Sequence, residues 1–148
     1  MGVLAYFERQ KSISYSKIMS EIWKDKVLQN TIIQLNTKAQ LFGRGIDSLG
    51  ETLGDYSAAS VEFFGKREGH IQLFDEGDFY KSFKIIPLGE DADIYADTIK
   101  IQDNGKRIDL TDRFGIEIIG LTNESKQILK DIMSSILQEK LRQFLQVN

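Results

Sequence analysis

Between Gly43 and Phe83 the chain concentrates seven of its 12 glycines, yet apolar side chains recur throughout the same stretch, from Leu49 and Leu53 to Phe79, Tyr80 and Phe83. A helix does not tolerate so many glycines, because each costs about 1 kcal/mol against alanine in a helix interior. A disordered linker, conversely, does not carry this density of aromatic residues. The expectation is a long extended loop with anchored ends, an arm over about 43–74, whose flanking segments must supply the scaffold.

Those flanks are helical in pattern. From Tyr15 to Leu35 the apolar residues Ile18, Ile22, Trp23, Val27, Leu28, Ile32 and Ile33 fall on one stripe, the mark of an amphipathic helix. Ser12 or Ser14 is available as its N-cap. Its C-terminus is open as far as Phe42, where Gly43 and Gly45 make continuation costly. At the other end Thr122 suits an N-cap and Glu124 the first turn. From there Ile128, Leu129, Ile132, Met133, Ile136, Leu137, Leu141, Phe144 and Leu145 form two adjacent rows of a long final helix.

Between the flanks, Asp47-Ser48-Leu49-Gly50 and Leu53-Gly54-Asp55 read as turns. Val61–Phe64 and Ile71–Phe74 read as short strands joined by a charged hairpin tip. Asp75 is placed to cap one helical turn that docks Phe79, Tyr80 and Phe83 in the core. Strand character follows at Phe83–Ile86, closed by Pro87, then at Asp93–Ala96 and Ile99–Gln102, with Asp103-Asn104-Gly105 turning into Arg107-Ile108. Asp109 or Thr111 caps a short helix that stops at Gly115. The predicted fold is α+β: a long N-terminal helix and a C-terminal helix packed on a small antiparallel β-sheet, with the long extended loop. The 148 residues are expected to form a single domain, with a flexible N-terminus over about residues 1–12.

Composition narrows the function classes. A formal net charge of −3 and a pI near 5.2 disfavour a general binder of phosphate backbones, so no sequence-specific nucleic acid partner is expected. The absence of cysteine removes disulfides and thiolate metal sites, which fits assembly in a cytosol. Met1–Lys11 lacks the apolar core of a signal peptide, and no run reaches the ~20 apolar residues of a membrane span.

Residues with catalytic potential do not converge. His70, the single histidine, lies in a charged loop segment, where a solvated role outweighs a catalytic one. Asp75, Glu76 and Asp78, or Asp91, Asp93 and Asp97, supply oxygens for a hard cation but lack calcium-loop spacing. Gly43-Arg44-Gly45 lacks the context of a dinucleotide fingerprint. Neither an enzyme nor a cofactor is expected. A small metal-dependent hydrolase using Asp75, Glu76 and Asp78 stands as an alternative. So does an adaptor that binds a host protein through the final helix, whose apolar rows are wide enough to exceed what one small sheet covers.

The segments GIDSLGETL, VEFFGKREG, LFDEGDFYKSFKI and IIGLTNE, in that order over about Gln40–Glu124, resemble the virion-morphogenesis or tail-completion proteins of tailed bacteriophages. That family carries a glycine-centred turn after the first helix, here at Gly50, then a lysine-rich segment and a motif of the form L-x-D-T-G-x-L-x-x-S. Leu73, Asp75, Gly77, Phe79 and Ser82 occupy the motif positions, with Glu76 in place of the usual Thr and an aromatic residue in place of the aliphatic one. The resemblance implies a ring-forming structural subunit at the head–tail junction or the top of the tail, assembled in the host cytoplasm. Its partners would be copies of itself and other neck or tail proteins, without catalytic residues. Contacts to those partners are expected from the arm: Ile46, Leu49, Leu53, Tyr56, Phe63, Phe64, Lys66 and Arg67.

Overall fold

A computed structural model describes residues 2–5, 15–66 and 68–145. The first helical stripe does not form one rod. Helix α1 spans Tyr15–Trp23 and α2 spans Lys26–Gln34. The break lies at Asp25, whose backbone is extended and whose Oδ1 accepts the Leu28 N–H at 2.8 Å. An aspartate that can cap a new helix competes with the old one, and Gln29 Nε2 donates to the Trp23 carbonyl left open at the break. The serines proposed as the first cap lie outside the described residues.

Without a further break, α2 runs into a ten-residue π-helix, Leu35–Arg44. Such helices are rare and nearly always short, so this one needs local causes. Thr37 Oγ1 donates to the Ile33 carbonyl at 2.7 Å and so competes with the α-type ladder. Gly43 sits over the Lys38 carbonyl five residues back, where a Cβ would come within 2.9 Å of the oxygen. The helix ends at Gly45 in the left-handed region, φ 61°, as a C-terminal glycine commonly does.

Helix α3, Ala58–Phe64, follows the turns of the arm. A single turn, α4, covers Asp78–Lys81. Strands β1 (Lys84–Leu88) and β2 (Asp91–Tyr95) pair antiparallel, Ile85 against Ile94, and β3 (Ile99–Ile101) and β4 (Arg107–Asp109) form a second antiparallel pair. The expected single sheet is thus two two-stranded sheets. Pro87 lies inside β1 rather than after it, a position open to proline because the ribbon leaves edges unpaired. Asp109 caps α5, Leu110–Phe114. Its carboxyl is held below the usual range, first by the Thr111 N–H and then by hydroxyls of Thr98 and Thr111. A turn of 3₁₀ helix, Ile116–Ile118, leads to the long α6, Asn123–Leu145. Thr122 Oγ1 accepts the Ser125 N–H at 3.1 Å, the cap expected from sequence.

Two apolar clusters hold these elements. One joins Ile18, Met19 and Ile22 of α1 with Leu28 and Ile32 of α2, Ile85 of β1 and Leu121, and the apolar rows of α6 pack against it. The other joins Leu41, Phe79, Phe83, Ala96 and Ile118. Ile33 and Ile94 touch both. The result is a mixed α+β fold with a long C-terminal helix. Among the described residues, no helix is long and apolar enough to cross a membrane.

Candidate functional site

The arm is neither a hairpin nor freely extended. Ile46 and Thr52 form an isolated bridge, and the Leu53 N–H donates to the Gly45 carbonyl at 2.8 Å. Asp47 Oδ1 accepts the N–H groups of Leu49 and Glu51, which fixes the turn that carries Gly50 at φ 82°. Farther on, Asp55 bridges His70, the Tyr56 N–H donates to the Gly69 carbonyl, and the Ile71 N–H donates to the Gly54 carbonyl. Those bonds close the base of a loop over Tyr56–Gly69.

Within that loop the expected strand Val61–Phe64 is helix α3. Ser57 caps it by accepting the Ser60 N–H at 3.1 Å, and Gly65 ends it at φ 62°. A short apolar run does not distinguish strand from helix by itself; here the cap serine, two alanines and the terminal glycine decide. None of the side chains of α3 is buried. Phe63 and Phe64 are 74% and 77% exposed, a pair of adjacent phenyl groups at the tip of a loop whose base is fixed.

The turn after the loop holds its shape through backbone that L-residues seldom adopt. Leu73, Asp75 and Gly77 have φ of 55°, 40° and 85°, and this alternation, not the strand expected for Ile71–Phe74, sets the chain direction. Gly77, and not Asp75, stands at the N-cap of α4. Asp75 instead ties three segments together. Its Oδ1 meets Lys66 Nζ at 2.8 Å, and its Oδ2 forms an ion pair with Lys100 of β3. Lys100 is held below its ordinary pKa by burial first and by the repulsion of Lys66 second. Phe42, Phe74, Tyr80, Phe79 and Phe83 follow one another edge to face or tilted, with centroids 5.1–6.1 Å apart, a spacing favourable to aromatic pairs. The Tyr80 hydroxyl donates to the Gln72 carbonyl; burial first, then neighbouring Tyr56, pushes its pKa far up. Ser82 Oγ donates to the Phe79 carbonyl and accepts the Asp97 N–H at 2.9 Å.

Two residues of the π-helix that the sequence reading did not single out tie it to the segment before α6. Asn36 and Gln40 are fully buried on the π-helix. Asn36 Nδ2 donates to the Ile118 carbonyl at 3.1 Å, and its Oδ1 accepts the Gly120 N–H at 2.7 Å. Gln40 Nε2 donates to the Gly120 carbonyl at 2.9 Å, and its Oε1 accepts the Thr122 N–H at 3.0 Å. The two amides read alternate residues of Ile118–Thr122 as a neighbouring strand would, which satisfies backbone groups that otherwise are buried unpaired. The available signal was their position: Asn36 and Gln40 continue the apolar stripe of Ile32 and Ile33 toward Leu41.

Beside this clamp lies a cleft of about 610 Å³. Ile32, Ile85, Ile94 and Leu121 line it, with Trp23 and Leu49 also on its walls. Arg44 and Glu124, paired at 2.7 Å, border it, as do Asp93 and Lys126. The indole of Trp23 donates to the Glu90 carbonyl at 2.8 Å, which sets the ring against the β1–β2 turn.

The contact residues expected from the arm therefore separate. Leu49 (71% exposed), Phe63 and Phe64 face solvent. Ile46 is buried at 9% exposure, bridges Thr52 and lies on the wall of the cleft rather than on the outer surface of the arm. Leu53 packs against the second cluster, Tyr56 is half-buried and its hydroxyl accepts from the Gln72 N–H, and Lys66 is engaged by Asp75. Arg67 lies outside the described residues. Of the motif, Phe79 is buried and Leu73 packs against the same cluster. Among the described residues, no three His, Cys, Asp or Glu side chains stand together as a metal site. No family model, curated protein or solved structure matches the chain.

Proposed function

We propose that this protein is a structural subunit of a tailed-bacteriophage virion, a tail-completion or neck protein that closes as a ring of identical copies at the head–tail junction. The observation that carries this reading is the loop Tyr56–Gly69, hydrogen-bonded shut at its base and ending in the exposed Phe63 and Phe64. Apolar side chains held away from their own core gain stability when a neighbour covers them. The ordered sequence segments from GIDSLGETL to IIGLTNE support the same reading, since VEFFGKREG carries Phe63 and Phe64 and LFDEGDFYKSFKI carries the Leu73–Ser82 turn.

In this role the chain performs no chemistry. It contributes contacts to its own copies and to other neck or tail proteins, first in the host cytoplasm and then in the virion. Mass spectrometry of purified virions and electron micrographs of a phage deleted for this sequence test the role. The expected outcome is the protein in wild-type particles, with separate full heads and free tails in the mutant. Joined, infectious particles assembled without it would sink the idea.

A further inference from the structure

Resting on that ring-forming reading, we infer that Phe63 and Phe64 of one copy insert into the 610 Å³ cleft beside Trp23 and Leu49 of the next copy. The occupant of the cleft is then a second copy of this chain. A ring of identical subunits needs a heterologous contact, in which two different patches of one chain complement each other. The phenyl pair on α3 and the cleft are such patches, for none of the residues lining the cleft belongs to the loop Tyr56–Gly69.

Size and charge agree with this pairing. The cleft falls within the range of about 300–1,000 Å³ that takes a compact apolar group, and two phenyl rings are of that class. Three described side chains of the loop carry charge: Glu62, Lys66 and Glu68. Lys66 is spent on Asp75, so Glu62 and Glu68 are the carboxylates left without an ion-pair partner among the described residues. On the cleft, Arg44 is spent on Glu124, and Lys126 and Asp93 remain. Glu62 stands next to Phe63 and is exposed, as is Lys126. Insertion that brings Glu62 to Lys126 pairs a free acid with a free base across the contact.

Sedimentation velocity on the full chain over a wide concentration range tests the contact. The wild type is expected to form closed oligomers. Phe63→Ser/Phe64→Ser, which removes the insert, and Leu49→Arg/Lys126→Glu, which spoils the cleft mouth, are each expected to stay monomeric. For the first variant the association constant should fall by about two to four orders of magnitude. Mixed in equal amounts, the two variants retain one good insert and one good cleft between them, so they are expected to form a 1:1 complex and stop there. A second set uses charge alone: Glu62→Lys and Lys126→Glu each weaken association about three- to fivefold, and the double exchange restores it. Circular dichroism melts check that each variant folds. The inference is overturned if the wild type stays monomeric, if either disabled variant assembles like the wild type, or if the mixture does not pair. Failure here separates from failure of the virion role. Normal joining by a phage carrying Phe63→Ser/Phe64→Ser would remove this contact and leave the role standing. Normal joining by the deletion phage would remove the role, with the sedimentation result still judging the contact.

Discussion

Asn36 shows how one side chain carries a tertiary contact that apolar packing alone would leave unspecified. It pairs both a carbonyl and an N–H of the buried Ile118–Gly120 backbone. Asn36→Ala strands both groups, and each costs about 1–3 kcal/mol when buried without a partner. A loss of about 2–5 kcal/mol is therefore expected in urea unfolding, and a loss below 1 kcal/mol would show that the clamp is dispensable. Tyr80 gives a different signature. Its folded pKa lies above that of the unfolded chain, so the unfolded state gives up the phenol proton first. The stabilisation is complete below pH ~10, the ordinary tyrosine value, and is lost as pH rises beyond it toward the folded pKa. Tyr80→Phe forfeits the bond to the Gln72 carbonyl, about 1 kcal/mol, and also forfeits that alkaline loss. Unfolding curves of the two proteins should differ at pH 8 and approach each other above pH 10; parallel curves would refute the assignment.

At the level of elements, the end of the π-helix is a tight junction against a ring. Gly45 has φ 61°, and a Cβ there would meet the His70 ring at 2.6–2.8 Å. His70 Nε2 is in turn 2.8 Å from the Phe42 carbonyl, so the ring has little room to retreat. Gly45→Ala combines a left-handed backbone penalty of about 1 kcal/mol with overpacking of about 1–3 kcal/mol. Thermal unfolding of Gly45→Ala, His70→Ala and the double variant should show the double to be less destabilised than the sum of the singles. Additivity would mean that the clash is relieved elsewhere. Much of this level was legible in the sequence: the helical stripes before Leu35 and after Thr122, the Thr122 cap, the turn at Asp103-Asn104-Gly105 and the docking of Phe79 and Phe83. What escaped shares a physical cause. The break at Asp25 and the π-helix depend on side-chain oxygens of Asp25 and Thr37 that compete with the helical ladder, and the helical Val61–Phe64 on the cap at Ser57, none of which apolar periodicity reports. The Asn36–Gln40 clamp depends on partners about 80 residues away, beyond the reach of local periodicity. On the candidate surface, Leu49, Phe63 and Phe64 were anticipated as contact residues, whereas the cleft needed the fold to bring together α1, α2, β1, β2 and the start of α6.

For the whole molecule, the expectation is that stability and assembly come apart. The phenyl groups of the loop lie outside both apolar clusters, so Phe63→Ser/Phe64→Ser should leave the unfolding free energy within about 0.5 kcal/mol of wild type while abolishing association in sedimentation. A large fall in stability would mean that the loop is part of the core instead. The clamp also has a consequence for the order of events during synthesis. The backbone groups that Asn36 and Gln40 need, from Ile118 to Thr122, are made long after the π-helix itself. Until they emerge, Asn36 and Gln40 have side-chain amides with only water to pair. A growing chain thus cannot complete the Asn36–Gln40 clamp before Thr122 has been made, whereas the bonds that close the loop Tyr56–Gly69 need only residues up to Ile71.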